Sequence, residues 1–198
     1  MKIFILFHDF TRCLLHLLLL AELFVHTSSH PATSPSLCRM FRSMIHQVDR
    51  LMSFSKNLHD LVRLHSVLLE SLPHIQHSFG YFSSLTVNKS ISDLYVYTQS
   101  LKLHVDWLKT AKENVSLSYQ SAEATSPHLL QLSNLLNVSL HQIGEETPQS
   151  MLPSFPLTYT AFDVLQFSVE ISGQLQVFCS WSKRVLIHLQ RLSHCPKH

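Results

Sequence analysis

The segment TAFDVLQFSVEISGQLQVFCSWSKRVLIHLQRLS, residues 160–193, contains no proline and carries apolar side chains at Val164, Phe167, Ile171, Leu175, Phe178, Val185, Leu189 and Leu192. Steps of three, four and seven put all of them on one face of an α-helix. At 1.5 Å per residue a helix from about Thr160 to Ser193 is roughly 50 Å long. A rod with a single apolar face needs partners, and the rest of the chain supplies three.

Helix A has Leu37, Phe41, Met44, Val48, Leu51, Leu58 and Val62 at helical spacing, interrupted at Ser55. Helix B has Ile91, Leu94, Thr98, Leu101, Val105 and Leu108, with Ser90 three residues before Asp93 as the expected capping start. Helix C is expected to begin at Ser126-Pro127, serine as N-cap and proline at the first helical position, and to run through Leu129, Leu132, Leu136, Leu140 and Ile143 to Gly144. The eight prolines fall between these runs. The three glycines are too few for the tight hairpins of an all-β fold. The A to B linker, about residues 66–89, and the proline-rich C to D linker, 145–158, are both long enough to run back along a helix at about 3.3 Å per residue. Long first and third connections predict an all-α, long-chain, up-up-down-down four-helix bundle.

Residues 1–29 read as a secretory signal peptide: Lys2 and Arg12, then an apolar run from Leu14 to Ala21, then the small residues Thr27, Ser28 and Ser29. The apolar core is shorter than the roughly 20 residues that span a bilayer, although a retained signal anchor is the competing reading. No second run of transmembrane length follows, so no membrane insertion is expected once the leader is removed. Residues 30–198 then form one domain. Asn88, Asn114 and Asn137 each open an N-x-S sequon, which fits a secretory route. Asn88 and Asn114 are expected in linkers and Asn137 on a helix, which makes the first two the better acceptors.

The chain carries a formal charge of +2. The leader removes Lys2 and Arg12 against Asp9 and Glu22, so the balance is unchanged. That gives no electrostatic footprint for nucleic acid or an anionic membrane. Of four cysteines, Cys13 leaves with the leader, and an odd number remains. Cys38 opens the first helix and Cys195 follows the last. In a bundle whose first helix runs up and whose last runs down those ends meet, so Cys38 is expected to pair with Cys195. Cys179, inside an apolar face, reads as a small buried hydrophobe.

Fifteen histidines invite a metal reading, with His74 and His77, or His59 and His65, as the nearest clusters. None has ligand spacing with cysteine or carboxylate partners, and no HExxH occurs. No G-x-S-x-G elbow is present. The residues therefore predict neither an enzyme, nor a cofactor or metal, nor a small-molecule substrate. A secreted helical lipid-binding protein is the alternative from another class, but the apolar stripes are narrow and have few cationic flanks.

Two stretches carry a resemblance. Leu69, Ser71, Leu72, Pro73, Ser78, Gly80 and Leu85, followed by Leu94, Ser100, His104, Val105, Trp107 and Leu108, match the layout of the interleukin-11 family around its A to B linker and second helix. The final helix, with Trp181, Arg184 and the apolar run after it, is similar to the last helix of the same family. The family belongs to the interleukin-6 group, and another member of that group or a leptin-like hormone is the alternative within the class. The cysteine pair and the sequons depart from mammalian members, so the resemblance is to a fish or other non-mammalian relative.

This resemblance implies a secreted cytokine with growth-factor activity. Such a ligand binds a specific alpha receptor and recruits the shared glycoprotein-130 receptor. It implies that Arg184 contacts the alpha receptor, with Lys183, His188 and Arg191 on or beside the same face. Phe162 stands where the family has a tryptophan that meets the shared receptor, and is either an exposed anchor or core. A second shared-receptor surface would use Arg39, Arg42, His46 and Arg50 of helix A with Gln131 and Leu135 of helix C.

Overall fold

The computed structural model describes residues 35–58, 69, 71–73, 75, 84–149, 152–158 and 160–196. The predicted leader, Cys13, Val62, the four histidines of the weighed clusters, Ser78 and Gly80 lie outside the described residues. Four helices are described: α1 (Pro35–Ser55), α2 (Val87–Asn114), α3 (Gln120–Gln142) and α4 (Ala161–Leu192). Each packs against two others, α1 and α2 both lying against α3 and α4. The side-chain bridges give the directions. Cys38 at the start of α1 meets Cys195 beyond the end of α4, and Gln142 at the end of α3 bonds Ser36. Tyr97, early in α2, meets Trp181, late in α4, while Trp107 meets Phe167. Neighbours therefore run antiparallel, α1 and α2 point one way and α3 and α4 the other, and the bundle is up-up-down-down as predicted.

The apolar stripes face inward. Phe41, Met44, Leu101, Leu129, Ile171 and Phe178 are fully buried in one core. Leu192 is the exception in α4, being exposed in its last turn. Helix ends differ from the periodicity, and for identifiable reasons. The last helical residue of α1 is Ser55, although Leu58 is still buried. The Ser55 carbonyl accepts from Ser172 of α4 at 2.7 Å, and the Leu58 carbonyl accepts from the buried Lys112 of α2 at 3.0 Å. Side chains from two other helices thus take the carbonyls that a continuing helix would use.

α2 starts a turn earlier than expected, and it takes in both Asn88 and Asn114, which were expected in linkers. Thr86, not Ser90, is the N-cap and accepts from the Lys89 amide, while the Ser90 hydroxyl bonds back to the Thr86 carbonyl at 2.7 Å. α3 corrects the sequence reading more deeply. It begins at Gln120, so Pro127 lies inside the helix and Ser126 is no cap. Pro127 has no N–H to give the Glu123 carbonyl. The extra turns are held from α2 instead, by Asp106 accepting from Ser126 and by Lys109 paired with Glu123 at 2.8 Å. α4 begins where expected, closed by a reciprocal Thr160 and Asp163 capping box.

Three helices end alike. Ser116 (φ 56°), Gly144 (φ 76°) and His194 (φ 48°) adopt the left-handed conformation just past α2, α3 and α4. In each case the next amide reaches back to a carbonyl five residues earlier: Leu117 to Lys112, Glu145 to Leu140 and Cys195 to Gln190. This is the Schellman arrangement, and glycine serves it without strain only at the end of α3. At the end of α4 it turns Cys195 back to Cys38, with Cα atoms 5.6 Å apart.

Candidate functional site

The late part of α4 is fixed from beneath before it offers anything outward. Trp181 is buried, edge-on to Tyr97 of α2 at 5.4 Å and beside Phe178. Three residues on, Arg184 is exposed, its Nε donating to the Ser180 carbonyl at 3.3 Å. His188 and Arg191 follow at steps of four and three, so these three side chains share one outward stripe. Lys183 is turned aside. Its Nζ pairs with Asp49 of α1 at 2.7 Å, and both side chains are close to half exposed, so the bridge is worth under about 1 kcal/mol.

On α1, Arg39, Arg42, His46 and Arg50 are all exposed. Arg39, His46 and Arg50, at steps of seven and four, share one outward stripe, and Arg50 is close enough to His128 of α3 to act on it. Arg42 lies seven residues before Asp49, the residue that reaches α4, and so leans to the other side. The α3 side of this surface is set by contacts with α1: Gln47 with His128 at 3.0 Å and Ser139 with Met40 at 3.4 Å. Leu135, four residues before Ser139, is half-buried in that seam, and Gln131 is exposed beside it. Burial lowers the pKa of His128, and the nearby Arg50 guanidinium lowers it further. Periodicity did not single out Val138, seven residues after Gln131, yet it is 54% exposed on the same flank. Its signal was an apolar residue out of phase with the buried stripe of α3.

At the other end of α4 Phe162 is 56% exposed and so is not a core residue. It is the second helical residue, inside the span of the capping box. Leu152 and Leu157, in the strap that leads into α4, are 87% and 77% exposed, and sequence reading passed over both. They lie among prolines, where no periodicity marks a face.

The two long connections meet on α2. Phe155 of the second stacks on Trp107 at 5.4 Å and stands edge-on to His104 at 5.2 Å. Ser71 of the first lies 2.9 Å from Nε2 of His104, whose Nδ1 donates to the Ser100 carbonyl at 2.7 Å. Burial lowers the pKa of His104 against the opposing pull of that carbonyl. Cys179 is buried and free, its thiol pushed up to about 12, chiefly by burial and then by Asp49. Such a thiol is neither nucleophile nor ligand at neutral pH. Among the described residues no three His, Cys, Asp or Glu side chains are placed to hold a metal ion, and no helix is long and apolar enough to cross a membrane.

What the described surface offers is therefore exposed side chains in separate patches on a packed helical bundle. In comparison with known proteins, the family model described as Interleukin 11 matches residues 31–193. No curated protein matches the chain.

Proposed function

The chain belongs to the interleukin 11 family, and from that premise we propose that it is a secreted cytokine that binds a specific alpha receptor and then recruits glycoprotein-130, with growth-factor activity as the outcome. It acts by contact and not by catalysis. The observation that carries this reading is the separation of three exposed patches on one disulfide-closed bundle. Three patches on distinct faces let one small ligand touch more than one receptor chain at once.

The alpha-receptor patch is Arg184 with His188 and Arg191. A guanidinium with five donors suits a carboxylate or carbonyl cluster on a receptor better than an ammonium does. Lys183 contributes at the margin, because its charge is shared with Asp49. One shared-receptor patch is the α1 and α3 face: Arg39, His46 and Arg50 with Gln131 and Leu135, Val138 as an apolar contact, and Arg42 at its edge. The other is apolar, with Phe162 as anchor and the exposed Leu152 and Leu157 of the strap that leads into α4 as its further members. Exposed apolar side chains that join into a contiguous patch commonly mark an interface. The secretory leader over residues 1–29 belongs to the same proposal, and the family match begins just after it.

The test is order-of-addition binding of the purified protein to immobilised ectodomains of the interleukin-11 alpha receptor and glycoprotein-130. Recruitment of glycoprotein-130 only after the alpha receptor is the expected result. A folded monomer that binds neither ectodomain overturns the proposal.

A further inference from the structure

We propose that the side of the bundle built from α2 and α3 bears N-linked glycan, with Asn114 as its principal attachment point and Asn137 as its poorest. The proposal rests on the secretory reading above. It goes beyond that reading in assigning the sugar to one face and ranking the sites on it.

Asn88 and Asn137 lie along the seam of these two helices, and Asn114 lies where α2 ends and the turn to α3 begins. Asn88 is exposed in the first turn of α2, and its amide donates to the Glu145 carboxylate just past α3. Asn114 is the exposed last residue of α2. Asn137 lies on α3, four residues after Ser133, and Ser133 accepts from Gln99 of α2 at 2.7 Å. Asn137 is thus on the flank toward α2. At about 100° per residue it is roughly 200° around α3 from Leu135, which belongs to the α1 flank. Neither α1 nor α4 contains an asparagine, and those helices hold the charged side chains of the proposed receptor patches.

The folded surroundings rank the three. The transferred group is a bulky, strongly hydrated oligosaccharide, and the fold has to leave room for it. At Asn114 it meets open solvent. Ser116, the hydroxyl residue of that sequon, is also exposed, in the left-handed turn that closes α2. At Asn88 it displaces one surface bond, to Glu145. Asn137 is half-buried, and its amide oxygen accepts from Thr147 of the C to D linker at 2.6 Å. Its serine, Ser139, is buried with the hydroxyl donating to the Leu135 carbonyl at 2.8 Å. Sugar there has to be fitted beside a linker that is already seated.

In the reaction the asparagine Nδ2 bonds to the anomeric carbon of an oligosaccharide carried on a lipid diphosphate. The carbon to diphosphate oxygen bond breaks, the lipid diphosphate leaves, and the amide gives up one proton.

The experiment is secretion of the full chain from eukaryotic cells, followed by peptide mass spectrometry after amidase release in heavy-oxygen water. Asn114 should show the highest occupancy and Asn137 the lowest. Removing the sugar should change alpha-receptor affinity by less than about twofold. Secreted protein with Asn114 unmodified, or with Asn137 the most occupied, overturns the assignment. So does an affinity gain of about tenfold or more on deglycosylation, because the sugar would then lie in the interface. If neither form binds a receptor, the receptor reading fails while occupancy still decides this one. A chain that never reaches the medium overturns the secretory reading and this proposal with it.

Discussion

Ser71 and His104 stand 33 residues apart in sequence and 2.9 Å apart in space, Oγ to Nε2. Because Nδ1 donates to the Ser100 carbonyl, which can only accept, the neutral ring presents Nε2 as an acceptor for the Ser71 hydroxyl. Phe155 of the other long connection meets the same imidazole. One buried histidine therefore ties both crossovers to α2.

That tie should make stability depend on pH. The His104 pKa is lowered from 6.5, mainly by burial, so below 6.5 the unfolded chain takes up a proton that the folded one resists. Its contribution is fully present above 6.5 and is lost as pH falls through the folded value. Urea midpoints between about pH 7.5 and 5 should drop more for the parent than for His104→Gln. His128, also lowered, adds a slope of the same sign that persists in the variant. Ser71→Ala should cost about 1 kcal/mol at neutral pH. Equal slopes for parent and His104→Gln would show that His104 does not titrate with folding.

Arg184→Ala and Lys183→Ala should differ although the residues are adjacent. If Arg184 is the receptor anchor, its truncation costs about 2 kcal/mol or more of alpha-receptor binding, roughly 30-fold, with the melting temperature unchanged. Lys183→Ala removes an exposed pair with Asp49 and should change the binding and folding free energies each by under about 1 kcal/mol. Titration calorimetry beside thermal melts separates the two.

Pro127→Ala should stabilise the protein. The alanine amide restores a donor for the Glu123 carbonyl and relieves the ring's clash within α3, a gain of about 1–3 kcal/mol. A chemical unfolding curve on unglycosylated protein measures it. A loss of stability would mean that the helix needs the proline for its path between Asp106 and the α1 seam.

The cysteines should divide cleanly. With its thiol at about 12 and the side chain buried, Cys179 should resist iodoacetamide at pH 8 until the protein is denatured, as read by intact mass. Replacing Cys38 and Cys195 by serine opens a loop with a sequence separation of 157 and should cost up to about 5 kcal/mol. Helical circular dichroism should survive at low temperature, since most of the core lies away from the bridge, which closes one end of the bundle.

The sequence by itself determined the helices, their order and their pairing of ends. Periodicity is local information, and a residue's helical face follows from its position modulo a turn. Leu37, Phe41, Met44 and Val48 could be placed in the core without any knowledge of what they touch. Linker lengths then allowed the up-up-down-down path, and the Cys38 to Cys195 bridge followed from that path.

Only the tertiary structure decided where helices stop and what the surface presents. The end of α1 is made by Lys112 and Ser172, which come from α2 and α4. The start of α3 overrides a proline because Asp106 and Lys109 of α2 hold the turns before it. Lys183 and Arg184 read alike in the chain, yet among the described residues only Lys183 has an acid opposite. Phe162, Leu152 and Leu157 are apolar by composition and exposed by placement. Helix ends and surface patches depend on side chains distant in sequence, and no local pattern records which of them arrive.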